Sequence, residues 1–137
     1  MNRVLGLDYG DRRIGLALSD PLQIIAKPLT IIDQQNTVDP ISRIGEIVDE
    51  KEINCIVVGL PLTLKGHYSK QTKIVLDFIE KLKSNLQLPI VTIDERLSSV
   101  AAEKALQAQN IKTGHEKGRV DETAAAIFLQ EYLDSQS

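Results

Sequence analysis

The feature of this sequence that most restricts its fold is an apolar run near the middle of the chain. Residues 53–60 read INCIVVGL, a nearly continuous stretch of apolar and mostly branched side chains. Such composition is typical of a strand in a parallel sheet, because that strand is covered on both of its faces. The fold must therefore supply a layer on either side of this strand, and helices on both sides of a sheet are the usual solution.

The patterns around this run predict a mixed α/β fold. The first three predicted strands follow one another in hairpins and therefore cannot all be parallel. The two later strands each follow a helix, so they should lie parallel to the first strand. The segment NIKTGHEKGR before the last helix is predicted to be a loop from its Gly and Asn content. The predicted elements, in chain order, are strands at 3–9, 14–19 and 29–32, a helix opened by Asp39 and Pro40, a strand at 53–60, a helix after the loop PLTLKGHYS, a strand at 88–94, a helix from Ser98 or Ser99 to about Gln109, and a helix from about Val120 to Leu133.

Length and composition limit the class of protein. A chain of 137 residues is expected to form one domain, residues 1–137. No segment is long and apolar enough to span a membrane, and the N-terminus lacks a signal-peptide pattern, so we expect a cytoplasmic protein with no membrane partner. The net charge of −3 does not mark a nucleic-acid-binding protein, but the bases are clustered. Residues 61–73 hold three lysines and no acid, which is compatible with a basic face.

Acidic residues stand where the predicted parallel strands end, at the edge where ligands of such sheets bind. Asp8 ends the first strand, and Asp94 and Glu95 end the strand at 88–94. Successive residues point to opposite faces, so at most one of Asp94 and Glu95 can join Asp8, and the pattern leaves the choice open. Gly6, on the face of Asp8, is expected to leave open space beside it. Asp121, at the start of the last helix, could supply a third carboxylate.

Three converging carboxylates predict a cation site, because they repel one another unless a cation neutralises them. Oxygen ligands of this kind suit Mg²⁺ or Mn²⁺, and two such ions about 3.5–4 Å apart hydrolyse phosphodiesters. Each acid also has a structural explanation that the residues alone leave open. Asp8 could be a turn residue, Glu95 could lie at a helix entry, and Asp121 could interact with the helix dipole.

Four ordered segments resemble one known family over nearly the whole chain. These segments are LGLDYGDRRIGLALSD, IVVGLPL, TIDERLSSVAAEKAL and VDETAAAIFLQEYLD, and they resemble the YqgF (RuvX) family of bacterial RNase H-like proteins. The resemblance implies a single RNase H-like nuclease domain with a five-stranded mixed sheet, order 3-2-1-4-5, and helices on both faces. It also implies a metal-dependent site, with Mg²⁺ or Mn²⁺ held by the catalytic carboxylates Asp8, Glu95 and Asp121, and so selects Glu95 over Asp94.

The resemblance also implies a nucleic-acid substrate. Family members are described as nucleases proposed to process pre-16S ribosomal RNA late in maturation, and they have also been proposed to be Holliday-junction resolvases. The expected partner is thus pre-rRNA, alone or within a ribosomal particle, or alternatively branched DNA, with the protein acting as a monomer or weak homodimer. Relatives often read GLPLNMDGS where this chain has GLPLTLKGHYS, so Thr63 and Lys65 replace an amide and an acid. The candidate phosphate contacts are Arg13, Lys65, Arg96, Lys112 and Arg119.

Two other functions are compatible with parts of the sequence. The spacing of Asp8, Gly10 and Gly15 resembles the phosphate-binding hairpin of actin-like and sugar-kinase-like ATPases, but those enzymes enclose the nucleotide between two domains and this chain has room for one. A non-catalytic RNA-binding assembly factor could keep the same fold. The complete set of three acids argues against it, because acids facing a phosphate backbone weaken binding.

Overall fold

The chain forms a five-stranded sheet with helices on both faces. This computed structural model describes residues 2–95 and 114–136, with side chains described for 2–95 and 124–136. The helix predicted from Ser98 or Ser99 to Gln109 lies outside the described residues. The elements, in chain order, are β1 Arg3–Tyr9, β2 Arg13–Ser19, β3 Ala26–Asp33, α1 Pro40–Glu50, β4 Ile53–Leu60, α2 Lys70–Asn85, β5 Ile90–Asp94 and α3 Gly114–Gln136.

The strand order is β3-β2-β1-β4-β5, which confirms the predicted order 3-2-1-4-5. β2 is antiparallel to both β1 and β3, whereas β4 is parallel to both β1 and β5. The carboxyl ends of β1, β4 and β5 therefore meet at one edge of the sheet, which we call the carboxyl edge. As the sequence predicted, the acidic segments at the ends of β1 and β5 lie along this edge.

The run at 53–60 is almost entirely apolar because its two faces enter different cores. One core lies between the sheet and the α1–α2 pair, and Ile56, Val58 and Leu60 contribute to it from β4. The other lies between the sheet and α3, and Val57 enters it beside Leu129. Each fully buried side chain of this size contributes about 1.5–3 kcal/mol to stability, so both layers are needed to hold the strand.

The helix boundaries follow local signals at α1 and depart from them at α3. Asp39 caps α1, because its carboxylate accepts a hydrogen bond from Ser42 N at 3.2 Å, and Pro40 occupies the first turn as predicted. In contrast, α3 begins at Gly114 rather than near Val120, so the loop predicted for 110–119 is wrong for residues 114–119. A glycine in a helix costs only about 1 kcal/mol, which a long packed helix tolerates. None of the helices in the described ranges has the length and apolar character of a membrane span.

α3 lies directly against β1 at Gly6, which corrects the prediction of open space there. A Cβ atom placed on Gly6 would lie 2.8 Å from Ala125 O and 2.8 Å from Leu129 Cβ. The missing side chain is therefore replaced by the helix itself, including its backbone, which cannot move aside. Glycine at this position sets the distance between the helix and the sheet.

β3 is an edge strand with an irregular register. Leu16 of β2 pairs with Thr30 and Ala17 pairs with Pro28, so Leu29 is an extra residue on β3. Pro28 and the preceding Lys27 are both exposed. The strand is longer than the predicted 29–32, because pairing with β2 extends it to Ala26–Asp33.

Gly6→Ala is expected to lower the free energy of unfolding by about 1–3 kcal/mol, the usual cost of overpacking a close contact. Gly45→Ala is the matched control, because a Cβ there would meet only Leu86 Cδ2, at 3.4 Å, within helix α1. That change should raise the free energy of unfolding by about 0.5–1 kcal/mol, since alanine is the better helix former. Urea unfolding of both variants measures the difference, and equal stabilities would contradict the packing described at Gly6.

Candidate functional site

Asp8 is the one charged side chain that is buried among the described residues. It is the penultimate residue of β1, and only 6% of its surface is exposed. The other two buried polar residues support the backbone: Ser19 Oγ accepts from Val4 N at 2.8 Å, and the hydroxyl of Thr72 accepts from Ser69 N at 2.9 Å. Burial of a carboxylate costs free energy unless cations or hydrogen-bond donors compensate. A buried acid at the carboxyl edge is therefore the strongest candidate for a functional group.

The strands on both sides of Asp8 present glycine at the same level. Asp8 pairs with Gly15 of β2. On the other side, the last pair between β1 and β4 joins Leu7 to Val58, so Gly59 is the next residue of β4 beside Asp8. Neither glycine has a side chain that could cover the carboxylate on the α3 face. Asp8 is thus the only one of the three positions in this row that presents a functional group.

The packing of β5 defines the face of Asp94, the first of the two acids at its end. Val91 and Ile93 pack with residues of the α3 core, whereas Ile90 packs with the α1–α2 core. The alternation of the strand therefore assigns Asp94, its last residue, to the α1–α2 face, whereas Asp8 lies on the α3 face. Glu95 is the first residue after β5, and its choice as the site acid, which the family resemblance implied, stays a prediction.

Phe128 of α3 occupies the space between the strands of the two acids. Gly59 of β4 pairs with Ile93 of β5, so β4 separates β1 from β5, and neighbouring strands lie about 4.8 Å apart. The fully buried ring of Phe128 lies over Gly59, where a Cβ atom would clash with three ring carbons. The ring covers the sheet surface at Gly59, which lies beside Asp8. A ligand of Asp8 would therefore lie at the outer, carboxyl-edge side of this ring.

The direction of α3 brings its first half to the carboxyl edge. Gln130 Oε1 accepts a hydrogen bond from Ala26 N at 2.9 Å, at the opposite edge of the sheet. Ala125 O lies beside Gly6, in the middle of β1. The N-terminal half of α3 therefore points towards the carboxyl edge. Asp121 is about one helical turn nearer to that edge than Ala125. The position of Asp121 along the helix is compatible with its predicted role; its side chain is not among those described.

The turn between β1 and β2 is held by a residue that the sequence analysis missed. The side chain of Gln34 donates to Gly10 O at 2.6 Å and to Asp11 O at 3.3 Å, and its backbone N–H donates to Arg12 O at 2.7 Å. Gly10 N also donates to Arg13 O at 2.9 Å. This clamp fixes the turn that follows Asp8. No pattern in the sequence marks Gln34, because its partners are backbone carbonyls on another hairpin.

Asp33 lies beside the same turn and interacts with its arginines. It pairs with Arg13 across β2 and β3, and its carboxylate accepts from Gln35 N at 3.0 Å. This backbone hydrogen bond is the main cause that lowers the pKa of Asp33, and a hydrogen bond from Asn36 and the charges of Arg12 and Arg13 lower that pKa further. Arg12 and Arg13 therefore lie close enough to Asp33 for their charges to act on its carboxylate.

The structure places two of the five predicted phosphate contacts on opposite sides of β1. Arg13 is half-buried at the start of β2, and Lys65 is exposed in the loop after β4. Arg119 belongs to α3 without a described side chain, and Arg96 and Lys112 lie outside the described residues. Among the side chains of residues 2–95 and 124–136, no three His, Cys, Asp or Glu groups are placed to hold a metal ion. That statement does not cover the predicted trio of Asp8, Glu95 and Asp121, because the side chain of Asp121 is not described.

The family model that matches residues 2–135 is RuvX, with the description "Holliday junction resolvase". The chain belongs to the RuvX family. Two similar relatives carry the name "Putative pre-16S rRNA nuclease". One, from Desulforamulus reducens, is 45% identical, with 97% of each chain covered. The other, from Roseiflexus sp., is 42% identical over 98% of this chain and 95% of the relative. These matches confirm the predicted family, and with it the predicted class of enzyme, a nuclease that hydrolyses phosphodiester bonds.

Solved structures confirm the predicted RNase H-like fold of RuvX. Thermus thermophilus RuvC, solved in complex with a Holliday junction substrate, matches with a TM-score of 0.58 at 15% identity, covering 99% of this chain and 96% of RuvC. The fowlpox virus Holliday junction resolvase matches with a TM-score of 0.52 at 16% identity, covering 98% of this chain and 99% of the resolvase. At identities this low, the matches show that the fold is shared, and the substrates of these resolvases are not carried over to this chain.

The lowered pKa of Asp33 makes stability depend on pH in a defined direction. Because the folded-state pKa lies below the unfolded one, the ionised carboxylate stabilises the fold above the unfolded pKa, and this contribution is lost as pH falls through the folded-state pKa. Asp33→Asn should therefore be less stable than the wild type at about pH 6, and the difference should shrink towards about pH 3. Thermal melts across this range measure the effect. A stability difference between Asp33→Asn and the wild type that stays constant from about pH 6 to about pH 3 would contradict the prediction.

Proposed function

We propose that this RuvX protein is a divalent-metal-dependent nuclease that cleaves pre-16S rRNA in the cytoplasm, with Asp8, Glu95 and Asp121 as its catalytic carboxylates. The observation that carries this proposal is the burial of Asp8 at the carboxyl edge, where Glu95 directly follows the end of β5. The position of Asp121 along α3, nearer to that edge than Ala125, is compatible with a third ligand.

The donor set fits Mg²⁺ or Mn²⁺ by its chemistry. Carboxylate oxygens are the ligands that these ions prefer, and the two histidines of the chain are not needed. When bound, a pair of such ions supplies a nucleophilic water and stabilises the attacking and leaving oxygens of a phosphodiester. The protein contributes a carboxylate held in a low-dielectric position, where its attraction for a cation is stronger than in water. Arg13 and Lys65, on either side of β1, would orient the phosphates of the substrate without reading its sequence.

Ribosomal RNA is the favoured substrate because of the relatives with high identity. Relatives 42–45% identical over nearly their full lengths are named for pre-16S rRNA, whereas the resolvases solved with or without junctions are 15–16% identical. A resolvase acting on branched DNA is the second candidate, favoured by the description of the family model. Symmetric resolution of a junction needs two active sites and therefore a dimer. Membership of RuvX argues against the ATPase alternative, and the buried acid argues against a non-catalytic assembly factor.

Asp8→Asn is expected to reduce metal-dependent cleavage on the order of 100-fold or more, because it removes a charge that acts in the transition state. Its melting temperature should be unchanged or raised, because a buried charge is removed. The assay offers an RNA with the 5′ extension of pre-16S rRNA and a four-way DNA junction, each in Mg²⁺, in Mn²⁺ and with a chelator. Asp77→Asn, which alters an exposed acid on α2, is the control and should cleave normally. Normal cleavage by Asp8→Asn would refute the site, and cleavage of the junction alone would refute the substrate.

A second pair of variants tests the two faces of β5. Glu95→Gln should lose cleavage as Asp8→Asn does, whereas Asp94→Asn should keep activity within about threefold of the wild type, because position 94 belongs to the opposite face. The two changes are alike in chemistry and adjacent in the chain, so each controls for the other. Loss of activity in Asp94→Asn together with retention in Glu95→Gln would show that the opposite acid serves the site.

A further inference from the structure

The segment between β4 and α2 forms an ordered hairpin at the carboxyl edge. Leu62 and Tyr68 form an isolated antiparallel bridge. Within it, Thr63 N donates to His67 O at 2.9 Å, and His67 N donates back to Thr63 Oγ1 at 2.9 Å. Gly66 closes the tip with a φ of 82°, a conformation that favours glycine. We call residues 62–73, which include the first turn of α2, the basic hairpin.

The basic hairpin is fixed to both of its neighbouring elements. Ser69 caps α2, and Ser69 and Thr72 exchange hydrogen bonds between side chain and backbone in both directions. The hydroxyl of Thr72 also donates to Pro61 O, which directly follows β4. Leu62 packs against the α1–α2 core. The surface of the hairpin is therefore preformed, which lowers the entropic cost of binding a ligand.

The outer surface of the basic hairpin is cationic and carries an exposed aromatic ring. Lys65, Lys70 and Lys73 are all exposed, and none of them makes an ion pair within the part of the chain that the structure describes. No acid occurs between residues 61 and 76. Tyr68 is 60% exposed and lies immediately before the cap of α2. Lysines around an exposed ring are the combination that binds single-stranded nucleic acid, through phosphates and base stacking.

The basic hairpin begins next to Asp8. β4 is the parallel neighbour of β1, and Leu60, its last residue, is two positions beyond the pair that joins Val58 to Leu7. Asp8 is one position beyond that pair, so the hairpin leaves the sheet about one residue past the level of Asp8 and one strand away, roughly 5 Å. Asp8 faces α3, whereas the hairpin packs on the α1–α2 side through Leu62. A nucleic-acid strand that contacts both Asp8 and the basic hairpin must therefore cross the carboxyl edge.

We propose that the basic hairpin binds an unpaired nucleic-acid strand next to the cleavage site, with Tyr68 stacking on a base and Lys65, Lys70 and Lys73 contacting phosphates. This proposal rests on the proposed nuclease function. It specifies that the nucleic-acid substrate is single-stranded where it leaves the cleavage site. A duplex cannot bind the hairpin in the same way, because the bases of a duplex are stacked on one another and cannot stack on Tyr68. Only the phosphates of a duplex can contact the lysines.

Binding measured with a chelator present tests the hairpin independently of cleavage. The probes are a labelled single-stranded RNA of about 12 nucleotides and the same RNA annealed to its complement. Tyr68→Ala should weaken binding of the single strand about 10-fold and binding of the duplex less than about twofold, whereas Tyr68→Phe should bind both as the wild type does. The exposed position of Tyr68 makes both variants compatible with folding, which a thermal melt checks.

The lysines are tested by the salt dependence of binding. Changing Lys65, Lys70 and Lys73 together to alanine should reduce the slope of log affinity against log salt for the single strand by about 2, at roughly 0.7 per lost phosphate contact. Lys81→Ala with Lys83→Ala is the matched control, because both residues are exposed on the same helix, and Lys83 lies about 15 Å further along its axis than Lys73. The control should leave the slope unchanged.

Each outcome separates the hairpin from the cleavage site. Equal binding of the single strand by wild type and Tyr68→Ala, or tighter binding of the duplex than of the single strand, would overturn the proposal even if the wild type cleaves RNA. Tyr68-dependent binding of the single strand by a protein that cleaves nothing in Mg²⁺ or Mn²⁺ would support the hairpin and refute the proposed nuclease function.

Discussion

The close contact between α3 and a sheet face that carries glycine is the interaction on which both the fold and the site depend. At Gly6 the backbone of the helix replaces a side chain, and at Gly59 the ring of Phe128 does so. Since a Cβ atom at either position would push the helix away, these two glycines set the distance between α3 and the sheet face on which Asp8 lies. The same contact orients α3 so that its first half reaches the carboxyl edge. A shallower contact would move the backbone of the first half of α3 away from the strands.

Most of the fold could be predicted because its signals are local or periodic. The apolar run at 53–60 required two layers, and the cores on its two faces are those layers. Asp39 and Pro40 marked the start of α1 through chemistry that involves only neighbouring residues. The start of α3 was missed because Gly114 and Gly118 read as loop signals, whereas the described helix tolerates them. The length of β3 was underestimated because it depends on pairing with β2, which no single segment encodes.

The candidate site could be predicted less completely, since it is built from distant segments. The position of Asp8 at a strand end was visible in the sequence, but the space beside Gly6 was interpreted wrongly, because a missing side chain can equally admit a ligand or a helix. The sequence could not assign Asp94 to a face of the sheet, because that assignment depends on the register of β5 against two cores. Gln34 was invisible for a similar reason, as its hydrogen bonds reach backbone atoms more than 20 residues away.

The irregular outer strand β3 has a consequence for how copies of this protein behave beside one another. An open sheet offers unpaired backbone groups along its outer strands, which invite pairing between molecules and polymerisation. On β3, Pro28 offers no N–H group, Lys27 adds charge, and the extra residue Leu29 distorts the strand. These features obstruct the continuous pairing that would join two sheets. Sheet-to-sheet polymerisation through β3 is therefore disfavoured, even where many copies of the chain lie close together.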